Sequence, residues 1–314
     1  MDPSAVPAQP LDATGYLAAP GFEDEVARSL RDVLDTRDRF VLAAGPPQPA
    51  WFVRNVWLEP MRISIDSIGD AARKLRSIQR GWALCSTGHH RRATLIQEKL
   101  PHISARPLVF PSPVPAAPLG SWMLLDRETI LASPRCTHAF PNGEIRFVED
   151  REGPPNRAYL KLQEALTLLG RHPGPGERVL DAGASPGGWT YVLAKLGAEV
   201  VAVDRAPLDP SVAAMPGVRH EIGSAFAKQP NTDGPYDWIF SDVICYPERL
   251  LEWVTRWVES GRVSNLVCTI KFQGDDPYAV AERFAAIERS RIVHLVHNKH
   301  ELTWMWPAGP RVSR

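Results

Sequence analysis

The sequence lacks a charge imbalance and has little cysteine. Its 314 residues include 36 lysines and arginines and 36 aspartates and glutamates, so the formal net charge is zero. A nucleic-acid partner would have to be held by a local basic patch, because the whole protein has no attractive field. The four cysteines have no C-x-x-C spacing, which argues against a zinc site and a disulfide framework. We therefore predict no bound metal and a reducing, cytoplasmic location.

Long hydrophobic runs are missing too. No segment approaches the run of about 18 apolar residues that spans a membrane. The N-terminal segment, MDPSAVPAQPLDATG, lacks the charged and then apolar build of a signal peptide. The sequence therefore predicts a protein with no membrane partner, and we take a monomer as the default state.

Proline, in contrast, is abundant and clustered. The sequence has 30 prolines, about twice the usual share. Five of them lie between residues 107 and 118, where they exclude a helix interior or a central strand. A second break, Pro154-Pro155, comes just before a new helical pattern. The chain length and these breaks predict two domains, residues 1–150 and residues 151–314.

The second of these domains alternates short β-branched runs with helical patterns. Seven runs are typical of strands, over residues 178–183, 199–204, 218–223, 236–243, 265–272, 292–299 and 302–306. Helical patterns cover residues 156–170, 247–261 and 277–290. This alternation predicts an α/β fold with a mostly parallel sheet, in which one of the last two strands is antiparallel. Before it we expect a smaller α+β domain.

One basic segment lies in the N-terminal half. Between residues 73 and 106 the only acid is Glu98. Lysine and arginine side chains that neutralise phosphates supply most sequence-independent affinity for RNA. A solvated helix face, balanced by acids elsewhere, explains the same pattern equally well. The candidate RNA-binding residues are Arg73, Lys74, Arg76, Arg80, Arg91, Arg92 and Lys99.

A glycine-rich loop, DAGASPGGW, follows the first predicted strand of the second domain, over residues 181–189. Glycines at this point let a ligand approach the backbone at the carboxyl end of the strand. Asp204 ends the second strand, where a carboxylate can accept hydrogen bonds from both hydroxyls of a ribose. The pattern therefore predicts a nucleoside-type cofactor.

Two cofactors are compatible with an acid at position 204. A dinucleotide loop needs G-x-G-x-x-G to seat a pyrophosphate on a helix N-terminus, whereas here Gly183 is followed by Ala184-Ser185-Pro186. S-adenosylmethionine has no phosphate and makes no such demand, so it is the predicted cofactor. Its predicted binding residues are Asp181, Gly183, Ser185, Pro186, Gly187, Gly188, Trp189, Asp204, Ser224 and Asp242.

Four charged residues stand where a purely structural role does not need them. Asp242 ends the fourth predicted strand and Lys271 the fifth, while Lys161 lies in the preceding helix and Glu301 between the last two strands. Because the carboxyl ends of parallel strands converge, we expect Asp242 and Lys271 to lie together beside the cofactor. A single lysine at a strand end is usually only solvated, but the four residues together predict a catalytic site.

Such a set suits methyl transfer to a hydroxyl group. A ribose 2′-hydroxyl is a poor nucleophile, so it must be deprotonated or oriented as it attacks the sulfonium methyl group in line. Lys271 is the candidate base, and burial, Lys161 and the sulfonium are each expected to lower its pKa. Asp242 acts in the opposite direction and is assigned to positioning Lys271. The sequence leaves open whether Lys271 removes the proton or orients the oxygen.

Several motifs together resemble the FtsJ-like family of RNA 2′-O-methyltransferases. They are NRAYLKLQEA, DAGASPGGWTYVL, SDV ending at Val243, TIKF ending at Phe272, and NKHELTW. The resemblance implies a class I Rossmann-like methyltransferase fold over about residues 155–306 and an RNA substrate. It also implies that the ordered Lys-Asp-Lys-Glu tetrad of the family falls on Lys161, Asp242, Lys271 and Glu301. Methylation of a protein or small molecule is disfavoured, because it does not need this tetrad.

Within that family the sequence is most similar to the RlmM type, which methylates a cytidine ribose of large-subunit ribosomal RNA. The opening PGFEDE adds to this likeness, which implies an RNA-binding part of THUMP type within residues 1–150. One departure is Ser224, where the family usually has an acid that binds the adenine amino group. The departure motivates a second hypothesis, a non-catalytic RNA-binding or ribosome-assembly factor that retains the fold.

Overall fold

The computed structural model of the protein describes residues 8–272 and 277–307. The chain divides into two compact units, which are treated separately below. The first comprises Met1–Leu108 and Val114–Arg146, and the second comprises Val109–Pro113 and Phe147–Arg314. Within the described ranges, no helix is both long enough and apolar enough to cross a membrane.

The first unit is an α+β structure with two sheets. Its strands are β1 (Ala8–Pro10), β2 (Ala13–Ala18), β3 (Val33–Arg37), β4 (Phe40–Ala44), β5 (Val53–Trp57), β6 (Met61–Ser64), β7 (Trp82–Leu84), β8 (Gly120–Leu124) and β9 (Thr129–Ser133). Its helices are α1 (Glu23–Ser29), α2 (Ile68–Ile78) and α3 (His90–Gln97). The strand orders are β3-β4-β2-β5 and β1-β6-β9-β8-β7. Side chains of both sheets, among them Phe40, Trp57 and Met123, form one buried cluster, so the sheets share a core.

The second unit contains a single seven-stranded sheet. Its strands are β10 (Arg178–Ala182), β11 (Glu199–Asp204), β12 (Val218–Ile222), β13 (Tyr236–Ser241), β14 (Val263–Lys271), β15 (Arg291–Val293) and β16 (Glu301–Trp306). Its helices are α4 (Tyr159–Leu169), α5 (Gly188–Lys195), α6 (Pro210–Ala213), α7 (Pro230–Asp233), α8 (Pro247–Ser260) and α9 (Pro277–Ala285). The order is β12-β11-β10-β13-β14-β16-β15, and β16 is antiparallel to both neighbours. The predicted mostly parallel sheet with one antiparallel strand is confirmed.

The order of these strands creates a crevice between β10 and β13. The chain runs outward from β10 to β12 on one side and from β13 to β14 on the other, so the direction of winding changes between β10 and β13. Open α/β sheets bind their ligands at this point, beyond the carboxyl ends of the strands. The glycine-rich loop follows β10, and Asp242 follows β13.

Helix α8 shows why the sequence pattern is a good guide to this unit. Its start at Pro247 suits a residue without an N–H group, and its end at Gly261, with φ 65°, suits a residue without a side chain. Leu250, Val254 and Trp257 lie on one face and are buried in the core against the sheet. The apolar spacing along the helix is therefore explained by packing.

The predicted strand over residues 292–299 is wrong beyond Val293, where β15 ends. The next backbone groups bond to side chains instead of to a neighbouring strand. The N–H of Leu295 donates to Asn298 Oδ1 at 2.7 Å, and the N–H of Val296 donates to Glu164 Oε2 at 2.9 Å. Residues 294–300 consequently form a loop at the carboxyl edge of the sheet, which leads directly into Glu301.

Candidate active site

Four charged side chains meet at the carboxyl edge of the sheet in the second unit. Lys161 Nζ donates to Asp242 Oδ2 at 2.8 Å and to Glu301 Oε1 at 3.0 Å. Lys271 Nζ donates to Asp242 Oδ1 at 2.8 Å and to Glu301 Oε2 at 3.2 Å. Each lysine bridges both carboxylates, so the cluster, which we call the tetrad, is formally neutral. The structure brings together all four residues that the sequence singled out as catalytic.

The two lysines of the tetrad are not equivalent. Lys161 donates to a third oxygen, Asp242 Oδ1 at 3.0 Å, and its side chain is 8% exposed against 19% for Lys271. An ammonium group has three donors. Lys161 therefore uses all of its donors within the tetrad, whereas Lys271 has, among the described residues, one donor left for a group outside it. Lys271 is the lysine placed to touch a substrate.

Opposite charges within the tetrad hold Asp242 and Lys271 in the ionised state. Burial alone would raise the pKa of Asp242, but attraction to Lys161 and Lys271 outweighs it and the pKa lies below its ordinary value. Burial alone would lower the pKa of Lys271, but attraction to Asp242 and Glu301 outweighs it and the pKa lies above its ordinary value. At neutral pH both groups are charged.

The expected lowering of the Lys271 pKa is therefore wrong. The sequence argument assumed that burial and a second lysine, which lower the pKa of Lys271, outweigh a single carboxylate, which raises it. In the structure Lys271 has a second carboxylate partner, Glu301, which lies opposite it in the antiparallel register of β14 and β16. Two carboxylates outweigh the desolvation of one partly exposed ammonium group.

Two further residues position the tetrad, and the sequence argument missed them. Asn298 is buried, its Nδ2 donates to Glu301 Oε1 at 3.2 Å, and its Oδ1 accepts from Thr303 Oγ1 at 3.2 Å. Glu164 lies one turn after Lys161 on α4 and accepts the N–H of Val296. Asn298 belongs to the NKHELTW motif, three residues before Glu301. This spacing is the sequence feature from which its contact with Glu301 could have been predicted.

The glycine-rich loop runs past the residue that follows Asp242. Gly183 and Gly187 have φ values of 89° and 119°, in the region that favours glycine. A Cβ atom on Gly183 would lie 2.8 Å from Val243 Cβ, closer than side chains can approach. Glycine at position 183 thus lets the loop approach the end of β13, and the loop and the tetrad border the same crevice.

A fixed carboxylate stands at the end of β11, beside this crevice. Asp204 Oδ2 accepts the N–H of Ser185 at 3.1 Å, and its Oδ1 accepts the N–H of Ala206 at 2.9 Å. Each oxygen keeps a lone pair for a hydroxyl group. Pro186 has no N–H, so the start of α5 offers one donor fewer to a pyrophosphate. The donor set therefore fits a nucleoside without phosphate better than a dinucleotide.

Two predicted cofactor residues, one at each end of the glycine-rich loop, are buried in the protein. Asp181 is buried, its Oδ2 accepts from Thr190 Oγ1 at 2.6 Å, and burial raises its pKa to about 7. Trp189 is also buried, and its Nε1 donates to the carbonyl of Ala158 at 2.9 Å. These contacts tie the loop to α4 and α5, so both residues hold its shape.

The remaining loop residues surround the same crevice. Ser185 Oγ donates to the carbonyl of Pro207 at 2.8 Å. Gly188 lies against Asn156, whose Oδ1 would be 2.3 Å from a Cβ atom at position 188. Ser224 is half-buried and comes two residues after Ile222, which pairs with Asp204.

The candidate RNA-binding residues of the first unit lie on or beside α2 and α3. Asp70, at the start of α2, pairs with Arg73 and with Lys74, the latter at 2.8 Å. Lys74 Nζ also donates to the carbonyl of Ser64, so it is committed within the unit. Five of the seven candidates are exposed, namely Arg73, Arg76, Arg80, Arg91 and Lys99, while Lys74 and Arg92 are half-buried.

Residues 154–256 match the family model of the FtsJ-like methyltransferases. The matched stretch includes α4, the glycine-rich loop and Asp242. The resemblance and the methyltransferase fold predicted from the sequence motifs are confirmed by this match together with the sheet topology.

Curated relatives extend the similarity. The chain is 34% identical over 172 residues to ribosomal RNA large subunit methyltransferase M of Halorhodospira halophila, covering 52% of this chain and 50% of that protein. It is 35% identical over 163 residues to the protein of the same name from Xylella fastidiosa, covering 48% and 46%. The chain thus spans about half the length of the curated relatives it matches.

Among solved structures, the chain is similar to Aeropyrum pernix fibrillarin with natively bound S-adenosyl-L-methionine. The sequence identity is 16% and the TM-score is 0.36, and the alignment covers 59% of this chain and 81% of that one.

Proposed function

From the match of residues 154–256 to the FtsJ-like methyltransferases, we propose that the protein transfers a methyl group from S-adenosylmethionine to a ribose 2′-hydroxyl of RNA. The observation that carries the proposal is the tetrad, in which two lysines bridge two carboxylates beside a nucleoside crevice. We further propose large-subunit ribosomal RNA as the substrate, because the relatives that match the chain are named for it.

Residues of the crevice would hold the cofactor. Asp204 would accept hydrogen bonds from the ribose hydroxyls, and the backbone of the glycine-rich loop would border the rest of the molecule. When bound, S-adenosylmethionine supplies a sulfonium methyl group. The contact between Gly183 and Val243 brings this loop next to the strand end that carries Asp242.

Lys271 is assigned to orienting the acceptor oxygen. Two of its N–H groups are held by Asp242 and Glu301, which fixes the direction of the third. A donor in that position directs one lone pair of the 2′-oxygen, so the other can point at the methyl carbon. No strong base is required, because an oxygen that has just received a methyl group carries positive charge and gives up its proton readily.

We expect the rate of methyl transfer to be nearly independent of pH between about 7 and 9. The pKa of Lys271 lies above its ordinary value, so the ammonium form is lost only as the pH rises through that raised pKa, beyond the ordinary value of about 10.4. Single-turnover rates at saturating RNA and cofactor measure this dependence. A ten-fold rise per pH unit over the same range would instead identify neutral Lys271 as a base and contradict the orienting role.

RNA binding is assigned to the first unit, which we propose to act as a THUMP-like module. Its exposed basic residues, such as Arg76, Arg80 and Arg91, would contact phosphates without reading sequence. Their number is small and the net charge of the chain is zero, so we expect affinity for RNA to be modest and its dependence on salt to be shallow, because the salt slope scales with the number of phosphates neutralised.

Cofactor binding and ribose mapping test the proposed function. Calorimetry with S-adenosylmethionine is expected to show binding by the wild type and at least ten-fold weaker binding by Asp204→Ala, since that carboxylate holds the ribose. Glu259→Ala, which removes a carboxylate exposed on α8, serves as the control. Large-subunit ribosomal RNA from a deletion strain should lack one 2′-O-methyl group, and the purified protein should restore it.

The competing hypothesis of a non-catalytic RNA-binding factor predicts a different result. A protein that binds RNA but shows no heat of S-adenosylmethionine binding, and whose deletion leaves the methylation map unchanged, would be such a factor. If the protein binds S-adenosylmethionine but its deletion leaves the methylation map of ribosomal RNA unchanged, the cofactor site is supported and ribosomal RNA is excluded as the substrate.

A further inference from the structure

Two large apolar side chains are exposed in the loop that follows the tetrad aspartate. Ile244 is 77% exposed and Tyr246 is 67% exposed. They are separated from Asp242 by one and three residues. A large apolar group left in water beside a functional site indicates contact with a ligand, whereas single exposed apolar residues elsewhere need no explanation.

The loop lies between the cofactor crevice and Lys271. At its start, Val243 abuts Gly183. Cys245, between the two exposed residues, packs against the core. Asp242, two residues before Ile244, accepts a hydrogen bond from Lys271 Nζ at 2.8 Å, so the loop begins beside that lysine. The side chains therefore alternate, with Cys245 turned inward and Ile244 and Tyr246 turned to solvent.

Two more rings are next to tetrad residues in the sequence. Phe272 follows Lys271, and His300 precedes Glu301. Because Lys271 pairs with Glu301 in the register of β14 and β16, the next residues outward also face each other, and their ring centroids are 5.6 Å apart. Three tetrad residues, Asp242, Lys271 and Glu301, are thus followed or preceded in the chain by large side chains, of which Ile244 and Tyr246 are the most exposed.

We propose that Tyr246, supported by Ile244, is the surface on which the base of the target nucleotide stacks. This inference rests on the proposed function and specifies its substrate as an unpaired nucleotide. A 2′-oxygen that reaches Lys271 brings its base within a few ångströms, because the base is attached to the neighbouring ribose carbon. Unpaired bases are commonly held on aromatic side chains, whatever their identity, because every base has a π-face.

The fold of the loop does not depend on the Tyr246 ring. Tyr246 precedes α8 and bonds to that helix through its backbone carbonyl, which accepts the N–H groups of Arg249 and Leu250. Substitution of the side chain should therefore leave α8 and the tetrad in place, which makes the residue suitable for a test.

The test compares steady-state methyl transfer by the full chain and its variants, with ribosomal RNA from a deletion strain as substrate. Tyr246→Ala is expected to lower kcat/KM for RNA by about ten-fold or more, mainly through a higher KM. Tyr246→Phe keeps the ring and should remain within two-fold of the wild type. Ile244→Ala should show a smaller loss. Val109→Ala, which shortens a similarly exposed residue of the same unit, is the control and should show none.

Several outcomes overturn the inference. If the wild type is active and both Tyr246→Ala and Ile244→Ala stay within two-fold of it, no base stacks on this loop. If Tyr246→Phe is as impaired as Tyr246→Ala, the hydroxyl group and not the ring is used. A parallel loss of S-adenosylmethionine affinity, measured by calorimetry, would assign the residue to the cofactor. A wild type that transfers no methyl group to RNA overturns the proposed function, and this inference with it.

Discussion

Replacement of Lys271 by alanine is expected to lower the rate of methyl transfer by about 10²- to 10⁴-fold, the range found for positioned groups that handle a reacting proton or oxygen. Lys271 is the tetrad lysine with a donor to spare, and it is the more exposed of the two. Its loss would leave the 2′-oxygen without a fixed partner. The measurement is the single-turnover rate with saturating RNA and S-adenosylmethionine.

Lys271→Arg separates the two possible roles of this residue. A guanidinium group remains charged and donates hydrogen bonds but cannot accept a proton, so a variant that keeps part of the activity supports orientation. Calorimetry should find S-adenosylmethionine affinity unchanged in Lys271→Ala, because no contact assigned to the cofactor is removed. Activity of Lys271→Ala within a few-fold of the wild type would remove Lys271 from its proposed role.

Much of the second unit could be predicted from the sequence because its constraints are local. Each parallel strand is a short apolar run, and Asp204 and Lys271 lie at the ends of two such runs. Once the runs are recognised, the convergence of parallel strands at one edge places these side chains together without any knowledge of distances. The start and end of α8 were equally readable, because Pro247 and Gly261 mark them.

What could not be predicted depends on contacts between distant parts of the chain. The period-two pattern of IVHLV suggests a strand, but Asn298 and Glu164 offer the backbone alternative acceptors and end β15 at Val293. Glu164 is 132 residues away from Val296. The raised pKa of Lys271 depends in the same way on the placement of Asp242 and Glu301, since the two carboxylates together outweigh burial.

Replacement of Lys161 by alanine is expected to reduce stability as well as activity. Lys161 is buried and supplies three hydrogen bonds to Asp242 and Glu301. Removal of one partner from a buried ionic cluster typically costs about 3 kcal/mol, because the opposite charges are left uncompensated. In a unit of this size the corresponding drop in Tm is roughly 10 °C. Differential scanning calorimetry measures it, and Lys299→Ala, at an exposed lysine of the same unit, is the control.

The loss of stability in Lys161→Ala should be electrostatic in origin, and two comparisons distinguish this cause from a loss of packing. Lys161→Met keeps most of the side-chain volume but removes the charge. If the lost stability is electrostatic, this variant should be destabilised nearly as much as Lys161→Ala. The loss should also shrink as the pH falls from 7 towards 4. In the wild type, attraction to both lysines holds the pKa of Asp242 below its ordinary value. This carboxylate therefore contributes stability at pH values above its unfolded pKa of about 3.9. That contribution is lost only as the pH falls through the depressed pKa of the folded state.

Without Lys161, burial is opposed by one lysine instead of two, so Asp242 takes up a proton at higher pH and the penalty for its charge disappears. Cavity formation has no such dependence on pH. A difference in stability that is the same at pH 4 and pH 7, and that Lys161→Met largely restores, would therefore mean that Lys161 supports the site by filling space. Only the charge-dependent result agrees with a lysine that holds two carboxylates in position for Lys271.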